Sequence, residues 1–474
     1  MVLVSVSAYA LLQSLVLPVL PTIERSLRTS QNTVTWVLTA YLLAASVATP
    51  ILGRLGDMIG KKKVLVGVLA VLAFGSVIAA LATSIGLMIL ARAIQGVGGA
   101  VLPLAFGIIR DEAPRFKIGS GISTAAALTA VGGGGGIVLA GPIVSVLNFH
   151  WLFWIPAIVV TLATIAALVV VPESPSRSPG RVALAPALLL SGWLVALIVA
   201  VSEGQQWGWT STRTVGLIVL SLALGATWVW VELHAKQPLI DMHMMRLPSV
   251  WTTNLVALLF GAGLYAAIGF LPEFLQTPRS AGYGFGVTAT ASGLFLVPMT
   301  AMMFLCGLLS SHLAARIGSK FVLFVGSAAS AAPFAVLAFA HQQRWEIYAS
   351  SALLGAGLGF AFAAMSNLIV ESVPQGQVGV ASGMNANIRT IGGAIGAAVM
   401  ATIVTSGARA DGFPQNSGYR NGFAFLMLAV TLAALACLII PSVRGSEVVA
   451  LAEVHAVEHG ETAIVAGADL VDLE

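Results

Sequence analysis

Fourteen apolar stretches follow one another along the chain, near 2–20, 34–52, 64–82, 85–109, 119–141, 151–171, 183–201, 215–231, 250–271, 287–311, 321–340, 347–370, 378–406 and 422–441. A helix needs about 20 apolar residues to cross the hydrocarbon core of a bilayer. Runs such as 64–81 and 157–171 are almost continuously apolar, without the alternation of a membrane β-barrel strand. The pattern is that of an all-α polytopic membrane protein with 14 transmembrane helices. Charged residues make up 9% of the 474, against about 25% in soluble domains. That leaves no room for a sizeable soluble domain and argues against disorder, a disulfide scaffold or nucleic-acid binding. Cys306 and Cys437 sit inside apolar runs and read as small buried hydrophobes.

The basic residues orient the spans. With a cytoplasmic amino terminus, fourteen Lys and Arg fall in inner segments, among them all six lysines, and seven in outer segments. This is the expected positive-inside asymmetry. Only Arg92 and Arg389 remain inside spans. An even number of spans places both termini in the cytoplasm. After Pro441 the tail carries one arginine against seven acids and reads as an acidic cytoplasmic tail.

An internal repeat divides the chain. Gly53-Arg-Leu-Gly-Asp57-Met-Ile-Gly60-Lys61-Lys62 can be laid over 311–320, where Leu55, Ile59, Gly60 and Lys62 match Leu313, Ile317, Gly318 and Lys320. Each segment follows the second helix of a six-helix block. The expected organisation is an N-terminal six-helix bundle at 1–172, a linker with two extra helices at 173–249, a C-terminal bundle at 250–441 and the tail at 442–474. Two related halves around a midplane site are the usual plan of a secondary transporter.

Three segments carry chemistry. In 53–63 the glycines allow close, sharply turned helix ends. Asp57 there offers an acceptor to an arginine or to a neighbouring helix amino terminus. In Leu90-Ala-Arg92-Ala-Ile-Gln95-Gly96-Val-Gly98-Gly99, residues 92, 95, 96 and 99 share one helix face. An arginine inside a span costs roughly 2.5–3.5 kcal/mol on insertion scales, so it faces a cavity or a partner. On helix thirteen Asn385 and Arg389 stand at i, i+4 with Gly392, Gly393 and Gly396 on much the same face. The pair is expected to line a central cavity. The structural alternative for Arg389 is bonding to helix-end carbonyls.

The segments Trp36–Tyr41 and 49–63, the Arg92 segment, and the glycine run Gly132–Gly136 with Gly141 and Pro142 resemble motifs of the major facilitator superfamily. So do Gln237-Pro238-Leu239-Ile240-Asp241, Leu271-Pro272-Glu273, Gly293 and Pro298. Together these cover about 2–441 and most resemble the fourteen-helix drug:proton antiporters. The resemblance implies a major facilitator fold, two six-helix bundles plus two additional helices. It implies a secondary active multidrug-type efflux transporter exporting small lipophilic, often cationic, compounds by alternating access in exchange for protons. The protein would be a monomer in the plasma (inner) membrane, with no cofactor and the proton motive force as its drive. It assigns a conformational lock to Gly53, Arg54, Asp57, Gly60, Lys61 and Lys62. A proton and substrate pathway falls to Arg92, Gln95, Gly96, Glu273, Asn385 and Arg389, and an antiporter-like helix five to Gly136, Gly141 and Pro142.

The chain departs from that pattern in two places. Ile137 follows Gly136 where the pattern has proline, and Leu12 stands where the family often has an aspartate. Glu203 and Glu273 lie near outer helix ends, Glu232 and Glu371 near inner ends, so proton coupling falls to Asp57 or one of these. The alternative is an exporter of a specific metabolite or lipid, or an uncoupled facilitator. An enzyme is not expected, since no Ser/His/Asp or paired-carboxylate arrangement can be placed at one depth. Nor is an ATP-driven pump, since no phosphate-binding loop is present. No metal site is expected: His455 and His459, spaced i, i+4 in the tail, lack further ligands.

Overall fold

In lipid a backbone amide finds no water, so each apolar stretch closes its hydrogen bonds within a helix. The computed structural model describes residues 1–16, 19–29, 31–173, 184–235, 238, 240–374, 377–405 and 414–441. Most of the linker break at 172–181, Lys236, Gln237 and Leu239 before helix nine, and the acidic tail with His455 and His459 lie outside the described residues.

Among the described residues thirteen helices are long and apolar enough to cross a membrane, and Val2–Leu15 is a shorter apolar helix. In chain order they are α1 (Val2–Leu15), α2 (Gln31–Ile59), α3 (Lys61–Ala80) and α4 (Ile85–Glu112, with a 3-10 turn at Val97–Ala100). Next come α5 (Arg115–Val146), α6 (Trp151–Val170), α7 (Leu184–Trp207) and α8 (Thr212–His234). The remainder are α9 (Pro248–Gln276), α10 (Thr290–Ile317), α11 (Ser319–Phe339), α12 (Arg344–Glu371), α13 (Val378–Thr405) and α14 (Asn416–Ile439).

The pairing of these helices repeats. α1 packs on α5 as α9 packs on α13, and α2 on α4 as α10 on α12. α3 packs on α4 and α6 as α11 packs on α12 and α14. Across the seam, α2 meets α13 and α5 meets α10, the same pair with the roles of the two sets exchanged. α7 and α8 pack on each other, and α7 also touches α2 and α13. The outer faces of α6 and α8 expose bulky apolar side chains such as Leu162, Leu222 and Trp230, a surface suited to lipid rather than water.

One boundary differs instructively from expectation. α2 does not stop near 52 but runs to Ile59, so Gly53, Arg54 and Asp57 are helical and the expected loop shrinks to Gly60 at φ 117°. Polarity marks where a helix leaves the apolar region, not where its hydrogen bonding ends. Gly318, the repeat partner of Gly60, joins α10 to α11 at φ 86°. Both positions require the backbone freedom of glycine.

Candidate functional site: a cavity between the two helix sets

A cavity of about 180 Å³ lies at the seam and takes lining residues from both sets. Its wall is mostly apolar, with Leu42, Leu102, Ile137, Leu264, Met299 and Met303 among the lining. The polar groups include Tyr9, Gln13, Tyr41, Tyr265, Asn387 and Arg389. Three of the chain's six tyrosines therefore meet at one place. Among the described residues no aspartate or glutamate lines the cavity.

Arg389 is 7% exposed and its guanidinium carbon lies 4.4 Å from the Phe362 ring centroid, a cation–π arrangement. Its Nε has no hydrogen-bond partner among the described residues. The backbone of α13 at this point presses on α9, since a Cβ at Gly261 would collide with the Arg389 carbonyl oxygen. The side chain leaves this tight seam toward the cavity.

Arg92 is fully buried on the far side of Tyr41, with its guanidinium carbon 4.2 Å from that ring's centroid. Its Nε donates to the Val37 carbonyl (3.1 Å) and Nη1 to Gln95 Oε1 (2.8 Å), while Gln95 Nε2 donates to Ser76 Oγ (3.1 Å). The shared helix face of residues 92 and 95 thus becomes a polar chain linking α2, α4 and α3. Gly96 and Gly99 continue the face as contact points, a Cβ at Gly96 falling 2.6 Å from the Tyr41 carbonyl oxygen and one at Gly99 2.5 Å from Thr49 Oγ1. Neither Arg92 nor Gln95 lines the cavity; Tyr41 and Gly99 do.

The other expected pathway residues separate. Asn385 donates to Asn254 Oδ1 (2.9 Å) and stitches α13 to α9; it is absent from the central lining but shares with Arg389 a much smaller pocket beside Pro103 and Ser366. Glu273 is exposed near the C-terminal end of α9, away from the cavity lining and near Tyr419. Asp57 and Glu371 also lie away from the lining, at the C-terminal ends of α2 and α12. Leu12 is buried in the apolar core of the first set, and the neighbouring Gln13 faces the cavity instead.

Toward the basic side the seam is shut. A Cβ at Gly53 would stand 2.7 Å from the Gly379 carbonyl oxygen, and one at Gly379 would stand 3.0 Å from Asp57 Oδ2. Asp57 thus faces the first turn of α13, where free amide groups and the helix dipole favour an anion. Higher along the same seam Asn387 donates to the Ser46 carbonyl (2.6 Å). Arg110 of α4 donates to the carbonyls of Val370 and Val373 (2.8 Å for the latter), at the end of α12, and Asn367 donates to Ser123 Oγ (3.1 Å).

Behind Asp57, Lys61 is wholly buried, its Nζ 3.5 Å from Asp57 Oδ1 and 2.8 Å from Asp111 Oδ2. Lys62 is half-buried at the start of α3. Arg54 faces a second cavity of about 170 Å³ with Asp241 and Gln377. At Gly60 a Cβ would collide with the Glu173 carboxylate.

Helix five divides its glycines between two neighbours. Gly132 and Gly136 press on α1, while Gly134 and Gly141 press on Thr300 and Thr290 of α10. Gly133 meets nothing within 4 Å and opens to the cavity. Pro142 lies inside α5, about one turn from its end, and the helix continues through it.

Sequence reasoning passes over Asp111, Arg110, Asn254, Phe362 and the three cavity tyrosines. A signal existed for Asp111 alone: a carboxylate closing a span one helix away from a basic cluster.

A sequence profile described as Major Facilitator Superfamily matches residues 2–397 and again 253–456. The chain is 31% identical to the cephamycin export protein CmcT of Amycolatopsis lactamdurans, over 90% of this chain and 88% of that one. It is 27% identical to the multidrug transporter protein MdtP of Bacillus subtilis (strain 168), over 78% and 68% respectively. Among solved structures it resembles that of the proton:xylose symporter XylE, with TM-score 0.67 and 13% identity, covering 95% of this chain and 97% of that one. With its profile match, its repeated helix pairing and its central cavity, this multi-pass membrane protein is a transporter, not an enzyme, and belongs to the major facilitator superfamily.

Proposed function

We propose that the protein is a secondary active efflux transporter that moves small lipophilic compounds out of the cell by alternating access. The observation that carries this reading is the central cavity, shared by both helix sets and closed toward the basic side by Gly53–Gly379, Asp57 and Arg110. The names of its relatives, a multidrug transporter and a cephamycin exporter, point the same way. On this reading the basic side is cytoplasmic, both termini face the cytoplasm of a cell bounded by a plasma membrane, and the monomer is the working unit. Rocking of the two helix sets breaks the closed seam and opens the cavity to the cytoplasm, where cargo enters.

Exchange for protons would supply about 2.3 kcal/mol per charge at 100 mV. Asp57, beside Lys61 and the start of α13, is the acid best placed to couple protonation to the closed seam, because neutralising it weakens the contact between the sets. The second reading, an exporter of one metabolite or lipid, or an uncoupled facilitator, is favoured by the lack of a carboxylate among the described cavity-lining residues.

Purified protein in proteoliposomes loaded with a pH-sensitive dye separates the two. A panel of lipophilic dyes should be transported faster with an imposed proton gradient and should themselves drive proton movement. Transport of a dye with no proton movement would reject the antiporter and leave the facilitator. Loss of all dye transport would reject multidrug efflux.

A further inference from the structure

We infer that the cavity selects amphipathic organic anions: a carboxylate, sulfonate or phenolate on an apolar body, with the anionic group on Arg389. The inference deepens the efflux reading and rests on it only for the direction of movement.

Charge is the first argument. Arg389 is the single ionised side chain among the described lining residues. Arg92 adds a second buried guanidinium behind the Tyr41 ring. Among the described residues neither arginine has a carboxylate within ion-pairing distance, since the ion pairs are those of Lys61 with Asp57 and Asp111 and of His243 with Asp241. A buried cation without a counter-ion is costly. In a low-dielectric cavity its field is poorly screened and draws an anion in. A cationic cargo would meet repulsion here, with no described carboxylate to receive it.

Hydrogen-bonding capacity is the second. Arg389 Nε and Arg92 Nη2 have no partner among the described residues, nor does the Tyr41 hydroxyl. Of these, Arg389 and Tyr41 belong to residues of the cavity lining, as do Tyr9, whose side chain approaches that of Tyr41, and Tyr265, whose side chain approaches Arg389. Guanidinium and phenol groups donate well to an anionic oxygen. The remaining wall of Leu, Ile and Met side chains suits an apolar body, and pliant methionines such as Met299 and Met303 tolerate several shapes. A charged anchor with an adaptable apolar wall describes selection by charge rather than by skeleton.

Three probes share a skeleton and differ in charge: naphthalene-1-sulfonate, naphthalene-1-sulfonamide and 1-naphthyl-trimethylammonium. Radiolabelled binding to the detergent-purified full chain is measured first, then uptake into proteoliposomes. The sulfonate should bind saturably and about tenfold or more tighter than the other two. Arg389→Gln should weaken sulfonate binding by about tenfold to a hundredfold, the scale of a lost hydrogen bond to a charged group, with less effect on the sulfonamide. Arg389→Lys should retain part of the affinity.

Because Arg389 sits in a tight seam, a second variant tests the idea without removing it. Gln13→Glu places a carboxylate on the cavity wall and should shift preference from the sulfonate toward the trimethylammonium. No saturable sulfonate binding, equal or tighter binding of the cation to the native chain, or unchanged preference in Gln13→Glu would overturn the inference. Selective sulfonate binding without transport of any probe would overturn the efflux reading and leave the charge preference standing. Transport of the cation alone would do the reverse.

Discussion

Lys61 and Asp111 meet 2.8 Å apart with both side chains buried, fifty residues apart in sequence and on adjacent helices. The ammonium also lies 3.5 Å from Asp57. One cation thus stands between two carboxylates at the point where the first helix set meets α13. Replacing Lys61 by methionine would leave those carboxylates facing one another without it. Breaking a buried pair costs about 3–5 kcal/mol, so Lys61→Met should lower the unfolding temperature markedly. The double variant Lys61→Met/Asp111→Leu should recover part of that loss, because one of the two orphaned carboxylates is gone and Asp57 no longer faces a second. Thermal unfolding of the detergent-solubilised variants measures both, and a single variant as stable as the parent would contradict the role given to the pair.

The Gly53–Gly379 contact leaves no space for a side chain. Overpacking typically costs 1–3 kcal/mol, and here the obstacle is backbone, which cannot swing aside. Gly53→Val should therefore wedge α2 from α13 and favour the state open on the basic side. A cysteine introduced at Ser382, buried near this seam, should react faster with an impermeant maleimide applied from that side. Unchanged labelling would show that the contact does not hold the closure.

Adjacent glycines on α5 should behave in opposite ways. Gly134→Ala puts a methyl group into Thr300 of α10, whereas Gly133→Ala enters open space. The first should lower stability and the second should not, as read by thermal unfolding. Gly133→Leu should leave the fold intact yet reduce binding of bulky cargo by occupying the cavity. Equal thermal effects of the two alanine variants would mean that the seam between α5 and α10 gives way easily.

Arg92 holds three helices through Val37, Gln95 and Ser76. Arg92→Met should lose those bonds, strand the Gln95 amide and loosen α2 from α4. Removing a partner from a buried polar group costs about 1–3 kcal/mol, more for charged groups. Arg92→Lys keeps the charge but not the fork of donors and should fall between the parent and Arg92→Met in thermal stability. A lysine variant as destabilised as methionine would show that geometry alone matters there.

Helical periodicity made one packing face readable in advance. Arg92, Gln95, Gly96 and Gly99 share a face because 3.6 residues make a turn, and on that face Arg92, Gly96 and Gly99 meet α2 while Gln95 reaches α3. The 258-residue repeat is equally local in origin: Gly60 and Gly318 recur because each must adopt positive φ between two helices. The same arithmetic placed Asn385 and Arg389 together, and there it reached its limit. Both do line the small pocket beside Pro103 and Ser366, yet Asn385 bonds to α9 while Arg389 alone of the two also reaches the central cavity. A helix face tells which residues are neighbours, not which partner stands opposite.

The apolar stretches, the lysine asymmetry and the repeat determined by themselves that this chain is a membrane protein of two related helix sets, because bilayer thickness and backbone hydrogen bonding leave few alternatives. Tertiary structure alone decided where its charges meet. Tyr9, Tyr41, Tyr265 and Arg389 come from four helices spread over the whole chain, and Asp111 joins the local pair Asp57 and Lys61 only when α4 packs beside α3. Those meetings depend on the crossing of helices, which close glycine contacts at positions such as 53, 96 and 379 set and no local pattern encodes.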